Sequence, residues 1–169
     1  MEPRETTFEL GPAEQSLQAE ARALASSVSH LAAEADAMSE IHPGVRDALA
    51  VSGLAGLMVP VAYGGRSDQI DPLAVCLVRE ALMATSSHLD SMFALQGIGS
   101  YAITAGGSDE QREKWLPQVA SLETLAALAL TEPEAGSDLK AVRTTLTEQG
   151  GRLVLNGTKS FISNAGTAG

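Results

Sequence analysis

At about Glu123 the hydrophobic period of this sequence changes from that of helices to that of strands, and any fold must accommodate both patterns in that order. Upstream, Leu17, Ala21, Leu24, Val28, Leu31 and Ala35 recur at alternating four- and three-residue spacing, the apolar stripe of a packing helix. Downstream, Val142, Thr144 and Leu146 alternate with Arg143, Thr145 and Thr147, which is the pattern of a strand with one wet face. The order predicts an α+β chain: an all-α helical bundle over residues 1–123, then the beginning of an antiparallel β domain over 124–169.

Start and stop signals divide the first part into five helices. Pro12 with Glu14 opens the first, and Pro43 opens a short second helix that Gly53 closes. His30 falls on the polar side of the first helix with no second ligand at metal spacing, and His42 sits at the start of the second; no metal site is expected. Pro60 with Gly64-Gly65 predicts an irregular loop. Asp71-Pro72 starts a third helix through about Ala84, apolar nearly all round and therefore expected to be buried, with Cys76 as a buried thiol. Ser86-Ser87 starts a fourth helix, Leu89 to Ile103, interrupted by Gly97 and Gly99. Those glycines admit two accounts, close helix–helix packing or room for a ligand. Ser108 and Gln111 form a capping box for the fifth, with Trp115, Leu116, Val119 and Leu122 facing inward.

In the second part Leu125 to Leu130 reads as a buried, two-sided apolar strand. It ends in a loop with Pro133 and Gly136 that presents hydroxyls at Thr131 and Ser137. Gly150-Gly151 suits a tight hairpin, and Asn156-Gly157 a second turn into a strand over Ser160 to Ser163. Charge removes one class of function: 11 basic residues against 21 acidic give a net −10, which disfavours nucleic acid, since that needs a dense basic face. No apolar run reaches the roughly 20 residues of a membrane span, and the acidic N-terminus lacks a leader pattern, so the expected compartment is the cytoplasm.

Two long ordered motifs carry more. Leu130-Thr131-Glu132-Pro133-Glu134-Ala135-Gly136-Ser137-Asp138 is followed by Asn156-Gly157-Thr158-Lys159-Ser160-Phe161-Ile162-Ser163-Asn164. The pair resembles the acyl-CoA dehydrogenase family. The likeness extends upstream through Gly53-Leu54-Ala55-Gly56-Leu57-Met58-Val59-Pro60, Tyr63-Gly64-Gly65 and Asp109 to Pro117. It departs at Glu134, where relatives commonly carry Gly.

The resemblance implies FAD-dependent α,β-dehydrogenation of an acyl-CoA thioester, with electrons passed to an electron-transfer flavoprotein. It implies a homodimer or homotetramer when full length, and a flavin site using Leu128, Leu130, Thr131, Gly136, Ser137, Phe161, Ile162 and Ser163. In it Thr131 matches the hydroxyl at the pyrimidine edge of the ring, Ser163 the donor to N5, Phe161 the aromatic along the flavin face, and Ser137 a contact to the CoA portion. The helix with Gly97 and Gly99 would border the acyl-chain cavity. The family's catalytic base is a Glu in a C-terminal α domain that no residue here matches, so no catalytic residue is assigned. Family members are more than twice this long, and the chain is expected to be a fragment that is inactive by itself. An acyl-CoA oxidase, a flavin monooxygenase relative and a non-catalytic helical interaction module stay open as alternatives.

Overall fold

A computed structural model describes residues 9–168; the first eight residues, including most of the N-terminus read for a leader, lie outside the described residues. The helical part comprises α1 (Pro12–Val28), α2 (Ala32–Ala37), α3 (Pro43–Ser52), α4 (Pro72–Met83), α5 (Ser87–Gly106) and α6 (Asp109–Ala120). A small antiparallel sheet of β1 (Thr145–Gln149) and β2 (Arg152–Asn156) follows. None of the described helices is long and apolar enough to cross a membrane.

The helix starts are where the capping residues place them. The His42 ring accepts from Val45 N, Asp71 from Leu73 N and Ser86 from Leu89 N, while Ser108 and Gln111 cap each other reciprocally. The first stripe differs from expectation by breaking at Val28 into a 3₁₀ turn over Ser29–Leu31 before α2 continues it.

α5 is the centre of the bundle. It packs against α2, α3, α4 and α6, and Leu89, Met92 and Phe93 on it are fully buried. Gly97 and Gly99 do not interrupt it. A side chain at Gly97 would collide with Met58, and one at Gly99 would stand 2.8 Å from Ala126 Cβ, so both lie in close packing, and Gly97 also lines an apolar cleft. α4 is a correction: Leu77, Val78 and Leu82 are buried, but Leu73, Cys76 and Met83 are exposed. The helix packs against α1 and α5 with one side only, so its apolar composition exceeds what its neighbours cover.

Two buried polar groups organise this core. Asp90 receives both Arg79 Nε at 2.9 Å and Arg79 Nη2 at 2.7 Å, a bidentate pair that also holds the guanidinium pKa above its usual value. Gln96 donates to Val119 O at 2.8 Å and Thr124 O at 3.0 Å and accepts from Ala126 N at 2.7 Å. It thereby fixes how the chain leaves the bundle.

Beyond the bundle the sheet is smaller than expected. Leu125 to Leu130 is not a strand: it makes one isolated parallel bridge, Leu125 with Ala168, and its backbone is met by side chains instead, Ala126 N by Gln96 and Ala126 O by Asn164 Nδ2 at 3.0 Å. Leu128 and Leu130 are 42% and 41% exposed rather than buried. No described strand lies alongside to take their ladder bonds. The alternating segment becomes regular only at Thr145, and Gly150 and Gly151, both in the left-handed region, turn it into β2 with Leu146 opposite Leu155. Both faces of the hairpin stand largely in solvent. Ser160 to Ser163 is also not a strand; Phe161 at φ 58° and Asn164 at φ 64° curl it into turns.

This asymmetry has a measurable consequence. Limited trypsin digestion is expected to cut first at Lys140, Arg143 or Arg152, all exposed outside the bundle, and to leave a helical product. Cleavage within α3 or α4 at comparable rates would contradict it.

Candidate functional site

The two motifs meet through their backbones. Ser160 N donates to Thr131 O at 2.9 Å, joining the loop after Leu130 to the segment that carries Phe161 and Ser163. The loop closes on itself by Glu132 N to Ala135 O at 2.9 Å and Ala135 N to Glu132 O at 3.2 Å. Asp138 caps a short turn over Leu139–Ala141 by accepting from Lys140 N.

Under this loop lies a carboxylate, Glu132, to which the sequence reading assigned no role. Glu132, 6% exposed, accepts from Arg143 N at 2.7 Å, Thr144 N at 2.8 Å, the Thr144 hydroxyl and Lys159 Nζ at 2.9 Å. The Thr144 hydroxyl, the Arg143 amide and the Lys159 ammonium, in that order, bring its pKa from an ordinary 4.5 down to about 2. Opposite charges in the two motifs, Glu132 in one and Lys159 in the other, were the available signal.

A carboxyl that binds its proton less readily when folded stabilises the fold above its unfolded pKa. That contribution is lost as pH falls from about 4.5 through about 2. The amide resonances of Arg143 and Thr144 are therefore expected to hold still down to pH 4.5 and to move with a midpoint near 2. A midpoint at an ordinary carboxylate value would show that the contacts do not persist in solution.

The expected flavin residues are distributed as follows. Among the described residues the hydroxyls of Thr131, Ser137 and Ser163 hydrogen-bond to no protein group, although Thr131 is half-buried. Phe161 is 95% exposed and has a left-handed backbone. Ile162 and Ser163 line a cavity of about 870 Å³ together with Ile41, Arg46, Glu123 and Asn164. Leu128 lines a separate apolar cleft of about 590 Å³ with Met58, Ile70, Val75, Ile98 and Tyr101. Leu130, Thr131, Gly136, Ser137 and Phe161 line neither, so the chain joins the motifs but does not gather all eight residues into one pocket. Cys76, expected in the core, sits on the rim of the apolar cleft.

Two family models match the chain: the acyl-CoA dehydrogenase N-terminal domain over residues 11–123 and the acyl-CoA dehydrogenase middle domain over residues 127–169. A probable acyl-CoA dehydrogenase of Bacillus subtilis is 43% identical over 118 residues, covering 69% of this chain and 20% of that protein. A cyclohex-1-ene-1-carbonyl-CoA dehydrogenase of Geobacter metallireducens is 38% identical over 138 residues, 81% of this chain and 36% of its own length. Among solved structures, butyryl-CoA dehydrogenase from Megasphaera elsdenii superposes with a TM-score of 0.82 at 28% identity, covering 96% of this chain and 44% of that one. The chain thus spans between about a fifth and somewhat under half of the length of these relatives.

Proposed function

The chain belongs to the acyl-CoA dehydrogenase family, and from that premise we propose that it supplies one wall and the first cofactor contacts of an enzyme that binds FAD and dehydrogenates an acyl-CoA thioester. The observation that carries this reading is chemical. Leu128, at the end of the segment that leads into Thr131, lines an apolar cleft of about 590 Å³; outside that cleft stand hydroxyls at Thr131, Ser137 and Ser163 without protein partners among the described residues and an aromatic ring 95% exposed at Phe161. A half-buried hydroxyl at Thr131 without a protein partner and an unstacked ring at Phe161 suit a planar polar cofactor better than they suit a finished protein surface.

Thr131 and Ser163 would hold the flavin by their hydroxyls, Phe161 would lie along its ring, and Leu128, Leu130, Gly136 and Ile162 would line it. Ser137 would serve both cofactor and the CoA portion. Met58, Ile98 and Tyr101 in the cleft would take the acyl chain and exclude water from it. Bound FAD would accept the hydride leaving the β carbon and release electrons to an electron-transfer flavoprotein. No residue of this chain is assigned as the base for the α proton. We place the full-length protein in the cytoplasm as a homodimer or homotetramer.

Purification tests the reading. The full-length protein is expected to carry visible flavin absorption that an acyl-CoA bleaches under anaerobic conditions, whereas the 169-residue chain is expected to purify colourless. A colourless full-length protein would remove the flavin assignment, and stoichiometric flavin on the isolated chain would show that these residues suffice alone. Fast reoxidation of the bleached protein by air would favour the oxidase reading.

A further inference from the structure

We propose that Glu132 and Lys159 are positioning residues, a clamp that sets the Thr131 peptide and the Ser160–Ser163 segment at one fixed separation, so that both hydroxyls meet the flavin as a preformed unit. This rests on the flavin reading above.

The clamp is built around Thr131. Lys159 Nζ donates to Leu130 O at 3.0 Å and to Glu132 Oε1 at 2.9 Å, so a single ammonium binds the residues on either side of Thr131. The next residue, Ser160, donates its amide to Thr131 O at 2.9 Å. The Thr131 backbone is thus held at three successive residues while its side-chain hydroxyl is left free.

Glu132 holds the other side. Its four donors come from Arg143, Thr144 and Lys159, and four is about the number of acceptor positions a carboxylate offers. An exposed ion pair contributes little, but removing this buried carboxylate would leave two backbone N–H groups without their acceptor and the ammonium with Leu130 O alone.

What the clamp restrains is a segment in an uncommon conformation. Phe161 and Asn164 both have positive φ, and the segment is pinned before Phe161 by Ser160 N to Thr131 O and at Asn164 by its Nδ2 to Ala126 O. Asn adopts the left-handed region readily, but a residue such as Phe161 holds it only when surrounding contacts impose it. Freed at Lys159, the segment would relax toward extended backbone, and Ser163 would lose its fixed distance from Thr131.

Two measurements test this, one of them without flavin. In the 169-residue chain, Glu132→Gln is expected to raise hydrogen exchange at the Thr144 and Ser160 amides about tenfold or more while α5 amides change less than about twofold. In the flavin-loaded full-length protein, Glu132→Gln and Lys159→Met should each weaken FAD binding about tenfold and shift the visible flavin band, with Lys159→Arg recovering most of both. Faster exchange with an unchanged FAD affinity and band would reduce the pair to a structural contact, and unchanged exchange would show that it holds nothing. A parent protein that binds no FAD would fail at the flavin reading itself and take this inference with it.

Discussion

Gly65→Ala is expected to destabilise the bundle by about 3 kcal/mol, the upper end of what overpacking commonly costs, and to lower the thermal midpoint by about 6–12 °C. Gly65 lies on the backbone of Val59, and a Cβ there would fall inside the van der Waals shell of the Val59 carbonyl and its Cβ. Neither neighbour is the free end of a flexible chain, so relief requires the backbone to move. That backbone is committed: Gly65 N donates to Pro60 O at 3.1 Å and Arg66 N to Gly56 O at 2.9 Å, tying the turn to the fully buried Leu54, Ala55 and Val59. Gly64 is the internal control. It has φ 82° with nothing within 4 Å of where a methyl group would stand, so Gly64→Ala should cost only the left-handed penalty of about 1–2 kcal/mol. Chemical denaturation of both variants decides it, and equal losses would mean that the close approach at Gly65 does not exist in solution.

Ser163→Ala, in the flavin-bearing full-length protein, is expected to slow flavin reduction by acyl-CoA roughly tenfold to a hundredfold while changing acyl-CoA affinity far less. Ser163 spends its hydroxyl on no described protein group and lines the cavity of about 870 Å³, so its removal breaks no hydrogen bond of the fold. Its proposed task is to donate where negative charge grows as hydride arrives, and a donor used in that way affects the rate more than the binding. Thr131→Val should behave differently. Its hydroxyl would sit at the far edge of the ring, and the variant should weaken FAD binding or shift its potential with a smaller effect on the reduction step. Anaerobic stopped-flow reduction separates the two: an unchanged rate in Ser163→Ala would leave Ser163 as a turn residue.

The bundle was legible in the sequence because its signals are local. A proline at the first helical position, a serine cap and a capping box at Ser108 each act within about one helical turn, and they mark the starts of α3, α4 and α6 and the ends of α3 and α4 to within a residue or two, whereas Leu122, read as part of the last helix's stripe, lies past α6 with a left-handed backbone. The motifs around Thr131 and Ser163 were equally legible as a pair, and with them the family. Their shape was not. Whether Leu125–Leu130 and Ser160–Ser163 form strands depends on a neighbouring strand to pair their backbone groups; among the described residues Gln96 accepts from Ala126 N, Asn164 donates to Ala126 O and Thr131 O accepts from Ser160 N instead.

Burial followed the same rule. The composition of α4 implied a helix hidden all round, yet which of its faces is covered depends on where α1 and α5 lie, and Cys76 falls on the side they leave open. Glu132 and Lys159 show the limit most sharply. Each reads in sequence as an ordinary charge in a loop, and they stand 27 positions apart. Only the fold brings the ammonium to within 2.9 Å of the carboxylate and two amides beside it, because a charge buried without those partners would not be tolerated. The sequence determined which segments are helical and to which family the chain belongs; the tertiary structure decided which residues touch, since side-chain contacts across long separations have no local signature.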